Sequence, residues 1–187
     1  MNKQLVKYIH EAEKKSLSNN DILKLCNGQC NVVTYSELPK YRNLDELLGT
    51  FDACVLLYQT GVNYGHWCAI IKINPKLVEF FDPYGFFPDS ELKFVPQGLR
   101  ARTHQNFKYL SKLLYESPYQ LSFNDDKFQK YASNVNSCGR HSVIRILLKH
   151  LPLEQYNELM NSTQFNPDFI VTFLTELIEG NLNKFKL

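Results

Sequence analysis

The chain has 187 residues, 44% of them hydrophobic and 21% charged, with a formal net charge of +2. That balance excludes a disordered polymer, because enough apolar surface is present to build a core. The small charge does not by itself indicate nucleic-acid binding, and no run approaches the ~18 apolar residues of a membrane helix. Aromatic residues reach 13%, enough for a bulky core with rings to spare for lining a groove. No repeat, low-complexity run or Pro/Gly linker divides the sequence, so residues 1–187 read as a single domain. Residues 1–15 carry charges throughout and lack an apolar segment, so no secretion signal is expected. The five cysteines, Cys26, Cys30, Cys54, Cys68 and Cys138, are odd in number and show no framework spacing. The expected setting is reducing, with free thiols.

Residues 2–15 place Leu5, Ile9 and Ala12 at helical spacing. A second short helix is expected from an N-cap at Asn20 through Asp21, Ile22, Leu23 and Leu25, stopping near Asn27-Gly28. Residues 31–50 read as loop and short helix, with an apolar stripe of Leu44, Leu47 and Leu48. Three short apolar runs follow, Ala53–Tyr58, His66–Ile73 and Leu77–Phe81. They are separated by turn material at Gly61–Gly65 and Asn74-Pro75, and predict adjacent strands of one sheet. Residues 99–116 predict a helix with Phe107, Leu110, Leu113 and Leu114 on one side, whereas 123–131 fits neither period. Val143–Leu151 predicts a buried helix beginning near Cys138. Asn166-Pro167 opens a last helix bearing Phe169, Ile170, Phe173, Leu174, Leu177 and Ile178, closed by Gly180. Helix, then strands, then helices, with no βαβ alternation, gives an α+β fold.

Three residues carry chemical potential. Cys138, in Ser137-Cys138-Gly139, starts a helix, where the dipole and free N–H groups favour a thiolate and can bind an oxyanion. Gly139 would let a substrate carbonyl approach the backbone. A buried structural thiol is the alternative. His66, in Gly65-His66-Trp67, begins a strand and can face a cleft as a base; a structural histidine is the alternative. Asp82, in Phe81-Asp82-Pro83-Tyr84-Gly85, ends the next strand. Antiparallel pairing would bring it to His66, where it could fix the imidazole. The competing reading is a turn-opening Asp-Pro.

The His, Asp and Cys blocks, in this order and approximate spacing, resemble the adenain family of adenovirus maturation proteases, in the clan of SUMO and ubiquitin-like-protein proteases. The resemblance runs from about Ala53 to His150. Cys138-Gly139-Arg140-His141, with Phe123-Asn124-Asp125 upstream, is most similar to proteases of virophages, mavericks and large DNA viruses. It implies a central mixed or antiparallel sheet flanked by helices, with Cys138 as nucleophile at a helix N-terminus, His66 as base and Asp82 as orienting acid. It also implies an oxyanion-binding Gln upstream of the cysteine. Gln129 is the candidate, nine positions before Cys138, with Asn134 or Asn136 as substitutes. Trp67 would wall a narrow substrate channel favouring Gly, or else belong to the core.

The implied activity is a cysteine endopeptidase cleaving viral capsid or core precursors at Gly-containing sites, in the virion and the host cytoplasm or virus factory. A deubiquitinase or deSUMOylase is the alternative within hydrolases, and an acetyltransferase using the same triad the alternative outside them. No cofactor and no metal are required by the sequence, and a monomer that does not engage membranes is expected. Family members are stimulated by DNA and by a peptide, so either activator is open for this chain. Arg100, Arg102, His104 and Lys108 form a basic run that reads as a solvated helix face or a weak, non-specific DNA contact. His141 is a rival base three positions after Cys138. Cys26 and Cys30 lack the second ligand pair a zinc site needs.

Overall fold

The three apolar runs pair as neighbours at the centre of a five-stranded sheet in the computed structural model, which describes residues 2–61 and 64–185. Chain order is α1 (Lys3–Ala12), α2 (Asn19–Leu25), β1 (Asn31–Thr34), α3 (Leu44–Leu48), β2 (Ala53–Gly61), β3 (Tyr64–Asn74), β4 (Leu77–Phe81), α4 (Gln97–Arg102), α5 (Tyr109–Tyr115), β5 (Gln120–Phe123), α6 (Cys138–Leu147), α7 (Leu153–Asn161) and α8 (Pro167–Ile178). Short 3-10 turns occupy Tyr35–Lys40, Gly49–Phe51 and Ser90–Phe94. The sheet order is β1-β2-β3-β4-β5, with β2/β3 and β3/β4 antiparallel and both outer pairs parallel. The expected α+β class, a mixed sheet flanked by helices, is what the chain adopts. Val62 and Asn63, in the expected turn before His66, lie outside the described residues.

The central strands are continuous apolar runs because both faces are covered. Val55, Leu57, Trp67, Ala69, Ile71 and Phe81 point to one side and pack with Ile22, Val143, Ile144, Tyr156 and Val171 from α2, α6, α7 and α8. Cys54, Leu56, Tyr58, Cys68, Ile70 and Phe80 point to the other, against Tyr35, Leu38, Leu44, Leu47, Leu110 and Leu114. No described helix is long and apolar enough to cross a membrane.

Several expectations need correction. β1 and β5 lie in segments not read as strands; each is a four-residue, part-buried edge strand, too short to show a period. Because both edges pair in parallel, helical crossovers link β1 to β2 and β4 to β5, so strand–helix–strand alternation is present after all. The helix expected over 99–116 splits into α4 and α5. His104 between them is left-handed at φ 55°, and Gln105 exchanges hydrogen bonds of 3.0 and 2.8 Å with the Gln59 backbone. Satisfying that strand end draws the chain out of the helix, and Phe107 is left exposed. α2 is capped by Ser18 rather than Asn20, in a capping box with Asp21. α6 ends at Leu147, before the expected Leu151, and α7 had no forecast. The caps of α8 at Asn166 and Gly180 fall as expected.

Arg145 of α6 is fully buried and locks this helix to β4. Its Nε and Nη2 donate to the two Glu79 carboxylate oxygens at 2.6 and 2.8 Å, and its guanidinium lies 5.0 Å from the centre of the Tyr156 ring. Glu79→Ala would strand that charge, costing about 3–5 kcal/mol in urea unfolding, whereas Glu79→Leu combined with Arg145→Met should recover most of the loss.

Candidate active site

The antiparallel register of β3 and β4 pairs Ala69 with Phe81, so the start of one strand meets the residue just past the end of the other. There His66 Nε2 lies 2.9 Å from Asp82 Oδ1. Both side chains are buried. The Asp82 carboxylate has further donors: the Tyr84 N–H reaches Oδ1 at 2.7 Å, and the Cys68 thiol reaches Oδ2 at 3.3 Å. The Asn124 side chain brackets the Asp82 backbone, accepting from its N–H and donating to its C=O, each at 2.7 Å. Gly85 closes the turn at φ 72°, where a Cβ would sit 2.7 Å from the Asp125 carbonyl oxygen. The Tyr84 ring stacks on the imidazole, 4.5 Å between centres.

This setting fixes the charge on His66. Burial alone would lower its pKa, but the Asp82 charge and hydrogen bond prevail, helped by the nearby Cys68 and Cys138 sulfurs, and hold the imidazole well above its usual range. Burial, then the Asp82 charge, push the Cys68 thiol well up, so it serves as a protonated donor. His66, Cys68 and Asp82 place potential ligand atoms within 4.8 Å of one another. Hydrogen bonds within the cluster already engage those atoms.

Cys138 is the first residue of α6 and lines a cavity together with His66. This cavity, of about 400 Å³, is also lined by Gln129, with Tyr84, Glu91 and Tyr131 among its walls. The segment before the cysteine is tied on two sides. The Asn136 N–H donates to the Glu13 C=O at 2.8 Å, and its side-chain amide to the Lys14 C=O at 2.7 Å. Ser137 Oγ donates to Asp168 Oδ1, whose Oδ2 accepts the Lys130 N–H at 2.9 Å. Asp168 therefore bridges the residue before Cys138 and the residue after Gln129.

The Gln129 N–H donates to the Pro83 C=O at 2.8 Å. Its Nε2 reaches the Val135 carbonyl at 3.3 Å, leaving a second N–H on the same nitrogen. Asn136 also borders the cavity, but its amide nitrogen is committed to Lys14; Asn134 is not among the lining residues. Gly139 turns its bare face away from the cavity, where a Cβ would lie 3.2 Å from the Trp67 ring and 3.3 Å from Leu17. Close packing of helix on strand, rather than substrate approach, accounts for this glycine. Trp67 is buried among the core residues, donates its indole N–H to the Leu17 C=O at 3.2 Å, and lines a second cavity that shares Tyr64 and Gly65 with the first.

His141 is held by Asp168 at 3.0 Å and does not line the cavity. All five cysteines are free and buried. Asp168 and Glu91 carried no signal in the sequence: the first reads as an ordinary acidic residue in a helix's first turn, the second as part of a loop.

In comparison with known proteins, the chain is 41% identical over 167 residues to a protein of Sputnik virophage described as uncharacterized protein V9, covering 87% of this chain and 95% of that one. No protein-family model matches. Among solved structures, ASFV pS273R protease is similar with a TM-score of 0.49 at 16% identity, over 89% of this chain and 68% of that chain. The C-terminal Ulp1 protease domain in complex with Smt3, the yeast ortholog of SUMO, is similar with a TM-score of 0.42 at 14% identity, over 97% and 96%.

Because the folded pKa of His66 is raised, its stabilising contribution is complete below the unfolded value of ~6.5 and is lost as pH rises through the folded value. Asp82→Asn removes the opposing charge and keeps the burial, so the His66 pKa should fall below that of a free imidazole, as read by NMR titration of the labelled ring. An unshifted ring would mean that Asp82 does not set its charge.

Proposed function

We propose that this chain, which belongs to the family of the Sputnik virophage V9 protein, is a cysteine endopeptidase with Cys138 as nucleophile. One observation carries the reading: His66, paired to Asp82, shares a cavity with Cys138 at the start of a ten-residue helix and with the amide of Gln129. These groups come from three distant parts of the chain, and a purely structural role gives no reason for them to meet at an open cavity.

The Cys138 thiolate, paired with the His66 imidazolium, attacks the scissile carbonyl carbon. The tetrahedral oxyanion is held by the Cys138 backbone N–H and the free N–H of Gln129 Nε2. The imidazolium gives its proton to the departing amine as the C–N bond breaks, leaving an acyl-enzyme. Neutral His66 then takes a proton from water, whose oxygen attacks the thioester and releases the acid and the thiolate. Asp82 holds the ring and stabilises its cation throughout.

The substrate would run across Tyr64 and Gly65, where the two cavities join, with Trp67 and Leu17 bounding the second. Wedged between buried side chains, that path favours small residues such as Gly. Exposed aromatics Tyr64, Phe94 and Tyr131 border the catalytic cavity and offer contact to an extended peptide. The virophage relative and the sequence resemblance to viral maturation proteases support particle precursor proteins as substrates, cleaved in the virus factory or virion. No cofactor takes part; DNA or peptide activation remains a proposal drawn from the resemblance.

The reading is tested by combining the purified protein with the unprocessed capsid and core proteins of its own particle. Wild type should release defined fragments with new N-termini, and Cys138→Ala none. Capture by a ubiquitin- or SUMO-based C-terminal electrophile with no cleavage of particle proteins would replace this substrate class. Gln129→Ala should lose ~100- to 1000-fold in kcat yet keep fast alkylation of Cys138 by iodoacetamide below pH 7. Near-normal turnover would remove Gln129 from the oxyanion hole.

A further inference from the structure

Two acidic residues of one turn are equally buried and quite differently provided for. Asp89, at 4% exposure, accepts the Tyr35 hydroxyl at 2.7 Å and the Ser111 N–H at 2.9 Å, while its own N–H donates to the Tyr58 hydroxyl at 3.0 Å. Glu91, also at 4% exposure, has an Oε1 buried without any hydrogen-bond partner. Asp89 ties down the start of the Ser90–Phe94 turn that carries Glu91. Its side chain lines the catalytic cavity with His66 and Cys138. Burial of an acid without a donor is unfavourable, and the cavity that Glu91 borders is a side from which a donor can reach its carboxylate.

The surroundings indicate what enters. No Lys or Arg is among the described residues lining the cavity, and Tyr84, Phe94 and Tyr131 contribute aromatic rings to its wall. These rings are suited to cations: the Lys93 ammonium lies 4.8 Å from the Phe94 ring centre and 5.0 Å from that of Phe86, and Lys127 lies 5.7 Å from that of Tyr131. A backbone N–H could occupy one carboxylate lone pair, but an alkylammonium or guanidinium group would neutralise the acid and lie against the rings at once.

We infer that Glu91 forms a specificity subsite of the catalytic cavity, which receives the cationic side chain of a Lys or Arg at one fixed position beside the scissile bond of the substrate. The subsite rests on the protease reading above. Burial pushes the Glu91 carboxyl up, with the His66 charge opposing, so an arriving cation would also draw it into its ionised form.

The test is a proteome-derived peptide library incubated with wild type, Cys138→Ala and Glu91→Gln, with cleavage sites read by mass spectrometry. Wild type should cut with Lys and Arg enriched at a single position. A peptide carrying Lys there should exceed its norleucine counterpart by about tenfold in kcat/KM, as expected of one partly desolvated charge pair. In Glu91→Gln that ratio should fall to near one, while cleavage of the norleucine peptide is retained. Cleavage by wild type with no basic enrichment overturns the subsite and leaves the protease standing. So does a Lys preference that survives in Glu91→Gln, or an equal loss on both peptides. Absence of Cys138-dependent cleavage in every peptide overturns the protease reading and the subsite with it. If Glu91→Gln fails to fold, equal cleavage of the lysine and norleucine peptides by wild type still overturns the subsite, and Glu91→Asp, which keeps the charge, should retain the lysine preference.

Discussion

A carboxylate without access to water must have its lone pairs occupied, and the site is built around that requirement at Asp82. Its two oxygens accept from the His66 ring, the Tyr84 N–H and the Cys68 thiol, and Asn124 clamps its backbone from both sides. Each of these contacts also fixes a neighbour. The hydrogen bond from Tyr84 forms the turn that lays its ring on His66. The next residue, Pro83, offers its carbonyl to the N–H groups of Phe128 and Gln129 at 3.0 and 2.8 Å. One turn thereby orients the His66 ring and anchors the backbone of Gln129, which lines the same cavity. The Asp-Pro-Tyr-Gly box is particular for this reason: Asp for charge, Pro for a fixed φ in the turn, Tyr for the ring, and Gly for a backbone that clears Asp125.

The second half of the site depends on where α6 starts. All but the last residue of this helix are buried, so its position is set by packing and by polar side chains that find partners on both sides. Arg145 binds Glu79 of β4, Ser142 Oγ donates to the Trp67 carbonyl at 3.3 Å, Arg140 reaches Glu176 of α8 at 2.9 Å, and His141 meets Asp168. Buried ion pairs of this kind add little net stability against an apolar core of the same shape. What they supply is register: a helix free to slide by even part of a turn would move the Cys138 sulfur out of reach of His66. Asp168 extends the same control to the loop, since one carboxylate holds both Ser137 and Lys130.

Much of this was legible in the sequence where a single strong force acts. The three central strands were visible because burial on both faces makes them uninterrupted apolar runs. The meeting of His66 and Asp82 followed from antiparallel pairing across a short turn, and Cys138 at a helix start followed from the apolar stretch behind it. The edge strands β1 and β5 were not legible, being short, part-buried and paired in parallel across irregular crossovers. The apolar spacing over 99–116 is real, but Gln105 bonds the end of β2 and the helix divides there. Gly139 has a reason for its smallness that no local pattern reveals, the contact with Trp67 and Leu17. Asp168 and Glu91 owe their positions wholly to tertiary structure, and an acidic residue in a helix's first turn or in a loop looks the same whether or not it borders a cavity.

The two thiols near His66 show how far environment, rather than residue type, sets what a cysteine can do. Cys68 follows His66 by two positions on the same strand face and touches the same carboxylate. It is sealed from solvent within the second core cluster and faces Asp82, so forming a thiolate there would bring two anions together in a medium that solvates neither. Cys138 meets the imidazole from another element, with the free N–H groups of a helix start beside it and an open cavity in front. Only there can negative charge on sulfur be met by a cation and by backbone dipoles while a carbonyl carbon approaches. The buried thiol saturates the acid, and the other thiol borders the cavity.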